Sequence, residues 1–415
     1  MTSIPRDKFP ESTLALLREG YHFIPNRVRK YGSDIFRTRL MMRDAICVHG
    51  EDAAEMFYKE GNFTRVGAMP PTTNRLLQDK GSVQSLDGRP HRHRKAMFMA
   101  MMTPERIAQM LDIAERAWQE AINDWASEEE IVLLDEVERI LCRAASEWAG
   151  IPLGPRNLSR RTAELSAMVA GAGSVGPTMW KAQVLRQRSE RWARHVIRRV
   201  RSGRLKVPEG SPVEQIANHR DLQGELLSEK HAAVELLNIL RPTVAVAHFI
   251  VHEAHALERY PESRRLAGSS YESDREQFVQ EVRRFSPFFP FIGGIALQDI
   301  DWRGTRIRKD QWVILDLYGT NRDPRAWDNP DTFDPSQMNS WDGSAFSLIP
   351  QGAGDFETGH RCPGEWLTIA LMKQAAQMLT NRMSYSVPDQ DLSMSMNEFP
   401  AIPASGFVMR NISER

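Results

Sequence analysis

Residues 231–257, HAAVELLNILRPTVAVAHFIVHEAHAL, carry a helical period with apolar residues on almost every face. A helix of this kind has no face to give to water, so it belongs inside a large domain with other elements packed around it. No stretch of the chain offers twenty uninterrupted apolar residues, and a membrane span is therefore not expected. Two adjacent residues break the pattern. Pro242 lacks a backbone donor and kinks a helix at a cost of roughly 3 kcal/mol. Arg241 puts a permanent cation into apolar surroundings, which is unfavourable unless an anion meets it. Glu235 lies nearly two turns away, and the i±4 positions are Leu237 and Ala245, so the partner is expected from elsewhere. A rule broken twice at neighbouring positions marks a functional site. His248 and His252 stand i,i+4 with His255 close behind, but HExxH is absent and a surface-facing helix end accounts for them equally well, so zinc is not expected.

A second stretch, FSLIPQGAGDFETGHRCPGEWLTIALMK at 346–373, is a glycine-punctuated loop running into an apolar helix. Gly352, Gly354 and Gly359 permit tight turns and close backbone approach. Pro363 suits a first helical turn, and Leu367, Ile369, Leu371 and Met372 continue as a helix with an apolar face. Cys362 is thus expected at a helix start, where N–H groups and the positive dipole end favour a thiolate. His360 and Arg361 would add positive charge beside it. The competing reading is a buried structural cysteine.

The 415 residues allow one large domain or two to three ordinary ones, and the formal charge is zero, which excludes a nucleic-acid footprint. Cys47, Cys142 and Cys362 are widely spaced without a CxxC pair, which reads as a reducing compartment. The opening MTSIPRDKFPES has no signal-peptide core, so a soluble, cytoplasmic protein is expected. Along the chain, 12–30 reads as helix, 38–50 as strand-like, and the next segment as a short helix ending near Gly61. Residues 104–150 read as two long helices anchored by Trp118, Trp125 and Trp148. Residues 155–206 are helical again around a Gly/Ser hinge, AGAGSVGPT, and include a basic amphipathic surface helix. In PHRHRKAMFMAMM, His91 and Lys95 share one face as an i,i+4 pair with Arg94 beside them.

The cysteine loop resembles the haem-thiolate signature of the cytochrome P-450 superfamily. Its extra length, with His360-Arg361 directly before Cys362, resembles the fatty-acid peroxygenase branch. Arg241-Pro242 stands where oxygen-using relatives carry an acid followed by an alcohol, and this exchange is characteristic of that branch. The resemblance extends over essentially the whole chain. It implies a mainly α fold with small β-sheets, one domain over 1–415, and haem b between the long helix and the cysteine loop. By the same resemblance Cys362 is the axial ligand of the haem iron. His91, Lys95 and Arg65 reach haem propionates, although Arg65 reads equally as a solvated surface residue, and Arg361 belongs to the cofactor loop. Arg241 holds a substrate carboxylate, Pro242 shapes the space above the iron, and Gln84 faces that space; alkene-forming relatives carry His there and hydroxylating ones Gln. Phe288, Phe291, Val169 (with Met168) and Phe407 are candidates for the acyl channel, with core packing the alternative. Glu281 and Arg284 resemble the structural ion pair of the superfamily, with Gln337 where an arginine is usual.

The implied reaction is hydroxylation of long-chain fatty acids next to the carboxylate by hydrogen peroxide. The α position is favoured, with β-hydroxylation or decarboxylation as side reactions. No obligatory redox partner is expected. An oxygen- and reductase-dependent fatty-acid monooxygenase, or a haem- and fatty-acid-binding protein without chemistry, are the alternatives.

Overall fold

The computed structural model describes residues 4–8, 10–79 and 81–415. The chain opens with α1 (Thr13–Glu19) and α2 (Phe23–Tyr31), joined through Gly20, whose φ is +54° and whose Cβ, if it had one, would strike the Met396 carbonyl oxygen. The strands β1 (Ile35–Leu40) and β2 (Arg43–Val48) follow as a hairpin. Their two-residue turn is Met41-Met42, both with positive φ (51° and 61°). Such a turn normally takes Asn or Gly, and left-handed backbone costs a side-chain-bearing residue about 1–2 kcal/mol. Next come α3 (Glu51–Tyr58), which stops short of the expected Gly61, then β3 (Phe63–Thr64), α4 (Pro71–Leu77), α5 (Gly88–Met101) and α6 (Pro104–Trp125).

After β4 (Glu130–Val132) a helical layer is built from α7 (Leu133–Trp148), α8 (Pro155–Ala170), α9 (Pro177–Arg201), α10 (Pro212–Asn218) and α11 (Glu229–Arg259). Trp118, Trp125 and Trp148 are buried in the main core, as their spacing suggests. The helix α11 is about 46 Å long at 1.5 Å per residue and packs against α7, α8, α9 and, across the molecule, the later helix α15 described below. By length and composition it could cross a membrane, yet nearly all of its apolar stretch is buried inside the protein. Ser228 caps its start, accepting from the His231 N–H at 3.1 Å. The helix continues through Pro242, which cannot donate to the Asn238 carbonyl. His248 and His252 are buried rather than at a surface-facing end; their rings face the backbone carbonyls of Ala245 (3.3 Å) and Ala401 (3.0 Å).

The remaining elements are α12 (Arg264–Ala267), α13 (Glu272–Phe285), β5 (Phe291–Ala296), β6 (Ile300–Trp302), β7 (Thr305–Ile307), β8 (Trp312–Asp316), α14 (Leu317–Thr320), α15 (Glu365–Gln377), β9 (Met383–Ser386) and β10 (Val408–Glu414). The larger sheet runs β1-β2-β8-β5-β3, with β2 and β8 parallel and the other pairs antiparallel. Smaller sheets are β4-β10-β9 and β6-β7. The result is mostly helical with small sheets, as expected.

Glu281 and Arg284 form a fully buried ion pair at 2.7 Å on α13. Arg284 also donates to the carbonyls of Asn321, Pro330 and Thr332, and Glu281 accepts from the Asp334 N–H. Gln337 braces the same segment without charge: it accepts from the Asn329 N–H at 3.1 Å and donates to the Asn329 carbonyl at 3.3 Å.

Candidate active site

A cavity of about 310 Å³ lies between the middle of α11 and the loop before α15. Arg241, Pro242 and Gln84 face it from one side, and His360, Arg361 and Cys362 from the other. Phe288, Phe291 and Val169 line it, with Phe289 and Phe249 adding aromatic surface.

Two channel candidates are not there. Phe407 is fully buried in the main core with φ +69°, and its carbonyl accepts from the Leu133 N–H at 2.9 Å. The turn puts this ring into the core instead of dipping it into the cavity. Met168 is buried away from the cavity wall, where its sulfur meets Arg186 Nη1 at 3.9 Å.

Arg241 is 4% exposed. Its Nη1 donates to the Leu76 carbonyl (3.2 Å) and its Nη2 to Asn238 Oδ1 (3.1 Å), both neutral acceptors. Among the described residues no ion pair joins it to a carboxylate. Glu235 is committed elsewhere, accepting from Arg94 Nη1 (2.7 Å), the Val83 N–H (2.9 Å) and Asn238 Nδ2 (2.9 Å). Burial pushes the Arg241 guanidinium down to about 9, the nearby Arg186 cation adds to this, and Glu235 opposes it. A guanidinium does not surrender its proton near neutrality. The shift therefore describes a buried charge that gains free energy when an anion arrives.

Asn238 was not apparent from sequence, yet it is the hinge of this network. Its amide donates to Gln84 Oε1 (3.2 Å) and Glu235 while its oxygen receives Arg241. The signal was available: residues 235, 238 and 241 are spaced i,i+3,i+6 on one face of an otherwise apolar helix. Arg94, the expected companion of His91 and Lys95, turns away from them to this pair.

On the other side, Cys362 precedes the helix, which begins at Glu365 with Gly364 as its cap. The Gly364 N–H points at the sulfur, and Gln351 Nε2 reaches it at 3.9 Å. Burial pushes the thiol above its ordinary value, against the pull of Lys95 and Arg283. The expected positive neighbours are largely silent. Burial, with Arg65 and His91 nearby, drives the His360 imidazole far below its usual value, so it is neutral. The Arg361 guanidinium pairs with Glu365 at 2.6 Å, which Arg283 also engages at 2.5 Å. Gly352 has φ +94°, and a Cβ there would meet Tyr58 Oη at 2.9 Å, so the loop does need glycine for close approach.

His91 and Lys95 both line the cavity. The His91 ring lies 3.9 Å from that of His360, and burial first, then Lys95, push it down to about 4. Lys95 Nζ donates to the carbonyls of Gly359 and Arg361 (2.9 Å to the latter), holding the cysteine loop; burial pushes it down to about 8. Arg65 is buried, not solvated: it lies over the Phe57 and Tyr58 rings (4.6 and 5.1 Å) and donates to the Gly293 carbonyl at 3.0 Å.

A soft sulfur with weak hydrogen bonds, facing a largely apolar cleft edged by cations, suits a haem whose iron takes a thiolate. The residues present fit that group. Such a site defines a haem-thiolate oxidoreductase.

Comparison with known proteins makes the assignment specific. The Cytochrome P450 family model matches residues 275–410. Cytochrome P450SP alpha (CYP152B1) in complex with (R)-ibuprophen is 44% identical, with 97% of this chain and 99% of that chain covered and a TM-score of 0.95. Cytochrome P450EX alpha (CYP152N1) with myristic acid is 39% identical over 100% of both chains, with a TM-score of 0.96. A variant of cytochrome P450 OleT in complex with arachidonic acid is 32% identical, covering 100% of this chain and 99% of that one, TM-score 0.96. Among curated proteins, Tabersonine/lochnericine 19-hydroxylase of Catharanthus roseus is 27% identical over 44% of this chain, which spans about a third (33%) of that protein. The chain belongs to the cytochrome P450 family, in its fatty-acid peroxygenase branch.

Proposed function

We propose that this enzyme hydroxylates long-chain fatty acids beside the carboxylate, mainly at the α carbon, using hydrogen peroxide and needing no redox partner. The observation that carries the reading is Arg241, a buried cation facing the cavity with only neutral acceptors. The net reaction takes a fatty acid and hydrogen peroxide to a hydroxy acid and water. Haem b would be held through the Cys362 thiolate and would supply O–O cleavage and oxygen transfer to a C–H bond when bound.

The chain's own residues do the rest. Arg241 binds the carboxylate through charge-assisted, bidentate hydrogen bonds. Held there, the carboxylate can take a proton from one peroxide oxygen and return it to the other, which leaves as water; among the described residues no Asp or Glu lines the cavity to do this. Pro242 and Gln84 limit the space beside it. Phe288, Phe291 and Val169 hold the acyl chain and keep water out, and Arg65, His91 and Lys95 secure the haem edge. With the carboxylate pinned, the α and β carbons are the ones within reach, which sets regiochemistry by proximity.

Mass spectrometry of products from myristic acid plus hydrogen peroxide tests this directly. 2-Hydroxymyristate is expected, while turnover only with NAD(P)H and reductases would reverse the reading. Arg241→Ala should abolish turnover and leave the carbon monoxide difference spectrum intact.

A further inference from the structure

Tyr21, in the link between α1 and α2, is buried and outside the cavity wall. Its hydroxyl donates to two successive backbone carbonyls, those of Pro287 (2.5 Å) and Phe288 (2.8 Å), and accepts from the Ala401 N–H (3.3 Å). Burial pushes the phenol above its ordinary value, so it stays a donor. The ring is wedged against Tyr318 (centroids 5.0 Å apart) and edge-on to Phe399 (5.1 Å), and the Tyr21 N–H is held by the Met396 carbonyl (3.0 Å). A third element joins at Ala401. Its N–H also donates to the Pro287 carbonyl (3.1 Å), and its carbonyl faces His252 Nε2 of α11 at 3.0 Å. Burial first, then His255 and His248, push this imidazole down to about 3, so the neutral ring gives its one N–H to that carbonyl.

What this bracket holds is a piece of cavity wall. Phe288 lines the cavity, whereas Tyr21, His252 and Ala401 do not. The Phe288 ring stacks on Phe249 of α11 (4.5 Å, 28°) and meets Phe289 edge-on (4.6 Å). Its side chain thus rests on the helix that carries Arg241, while its backbone hangs from Tyr21. Pro287 and Pro290 have no N–H, so the segment 286–290 is tied down mainly through its carbonyls. Among the described residues the Phe288 carbonyl has no donor other than the Tyr21 hydroxyl. Taking that hydroxyl away leaves the acceptor without a protein partner, a cost the chain escapes only by shifting the backbone under Phe288.

We infer that Tyr21 is a positioning residue which, through the Phe288 wall, sets which carbon of the fatty acid is oxidised. This deepens the fatty-acid reading above and rests on it. With the carboxylate pinned by Arg241, the freedom left to the first carbons of the chain is sideways movement, and Phe288 limits it. Displacements well under an ångström then decide whether the α or the β carbon lies in the reactive position. Anchor and bracket share one frame, since Phe249 and His252 follow Arg241 by about two and three turns of α11.

The test is the ratio of 3-hydroxy to 2-hydroxy product from myristic acid and hydrogen peroxide, measured on haem-loaded protein. Tyr21→Phe and His252→Leu each remove one end of the bracket without touching the cavity. Each should keep the carbon monoxide difference spectrum and raise the ratio about fivefold, the change that ~1 kcal/mol of altered preference gives. The control is Trp125→Phe, which deletes a core hydrogen bond to Glu136 (2.9 Å) away from the cavity wall and should leave the ratio at the wild-type value. In a Phe288→Ala background the Tyr21→Phe change should add nothing further, because its route is already cut. Either bracket variant decides alone if it holds haem; loss of haem from both would make the bracket part of the fold and overturn the positional role. A wild-type ratio in the haem-loaded variants, an equal shift in Trp125→Phe, or a full extra shift in the Phe288→Ala background also overturns it. Wild type that yields no hydroxy acid at all overturns the fatty-acid reading and takes this inference with it, whereas wild type that hydroxylates beside unshifted variants overturns the inference alone.

Discussion

Arg241 carries its charge in a buried position, and both of its hydrogen bonds end on neutral oxygens. A lysine in its place would keep the charge but lose the fork that grips both carboxylate oxygens. Arg241→Lys should therefore weaken myristate binding by about 1.5–3 kcal/mol, the worth of a hydrogen bond to a charged group. Titrating the haem absorption with the fatty acid measures this, and unchanged affinity would show that bidentate contact is not used. The residue scale is also where sequence reasoning met its limit. Arg241 was legible because a cation in an apolar helix violates a strong rule. Asn238 was not, since an asparagine on a helix is unremarkable until its three partners are seen.

Between elements, the Arg94–Glu235 pair ties α5 to α11 and, through the Val83 N–H, to the turn that presents Gln84. Glu235→Gln should destabilise the protein by about 3–5 kcal/mol, because it leaves Arg94 buried and unpaired. Replacing both residues with apolar ones of similar volume should recover much of that in thermal melts, whereas additive losses would mean that the pair is not coupled. A second junction joins the ends of β2 and β8: the His49 ring nitrogen lies 2.9 Å from Asp316 Oδ2, which also heads α14. Burial alone would lower this imidazole, but Asp316, together with Asp323 and Asp34, outweighs it and the folded value is raised. The stability it contributes is then fully present below the unfolded value of about 6.5 and lost as pH rises through the folded one. The melting-temperature gap between wild type and His49→Gln should shrink as pH climbs above that point; a gap that widens would contradict the sign.

For the molecule as a whole, a ligand that binds only the folded state stabilises it by mass action. Myristate at a hundred times its dissociation constant should add about 2.7 kcal/mol to unfolding. Calorimetry should show that gain for wild type and none for Arg241→Ala at the same concentration. The helical core that makes this possible was the most legible part of the chain. The period of 231–257 called for surrounding helices, and α7, α8, α9 and α15 supply them. The hinge at AGAGSVGPT does separate α8 from α9.

By itself, the chain's order of residues determined what is written in local periodicity and in violations of local rules. The long central helix, the glycine-dependent cysteine loop, and a cation with no acid in reach along its own helix all follow from neighbours within a few positions. Only the tertiary structure decided the direction and charge of side chains whose surroundings come from distant segments. It sent Phe407 into the core, turned Arg94 toward Glu235, and kept His360 neutral by burying it beside Arg65 and His91. Orientation and desolvation are properties of what packs against a residue, and that packing is assembled from parts of the chain far apart in sequence.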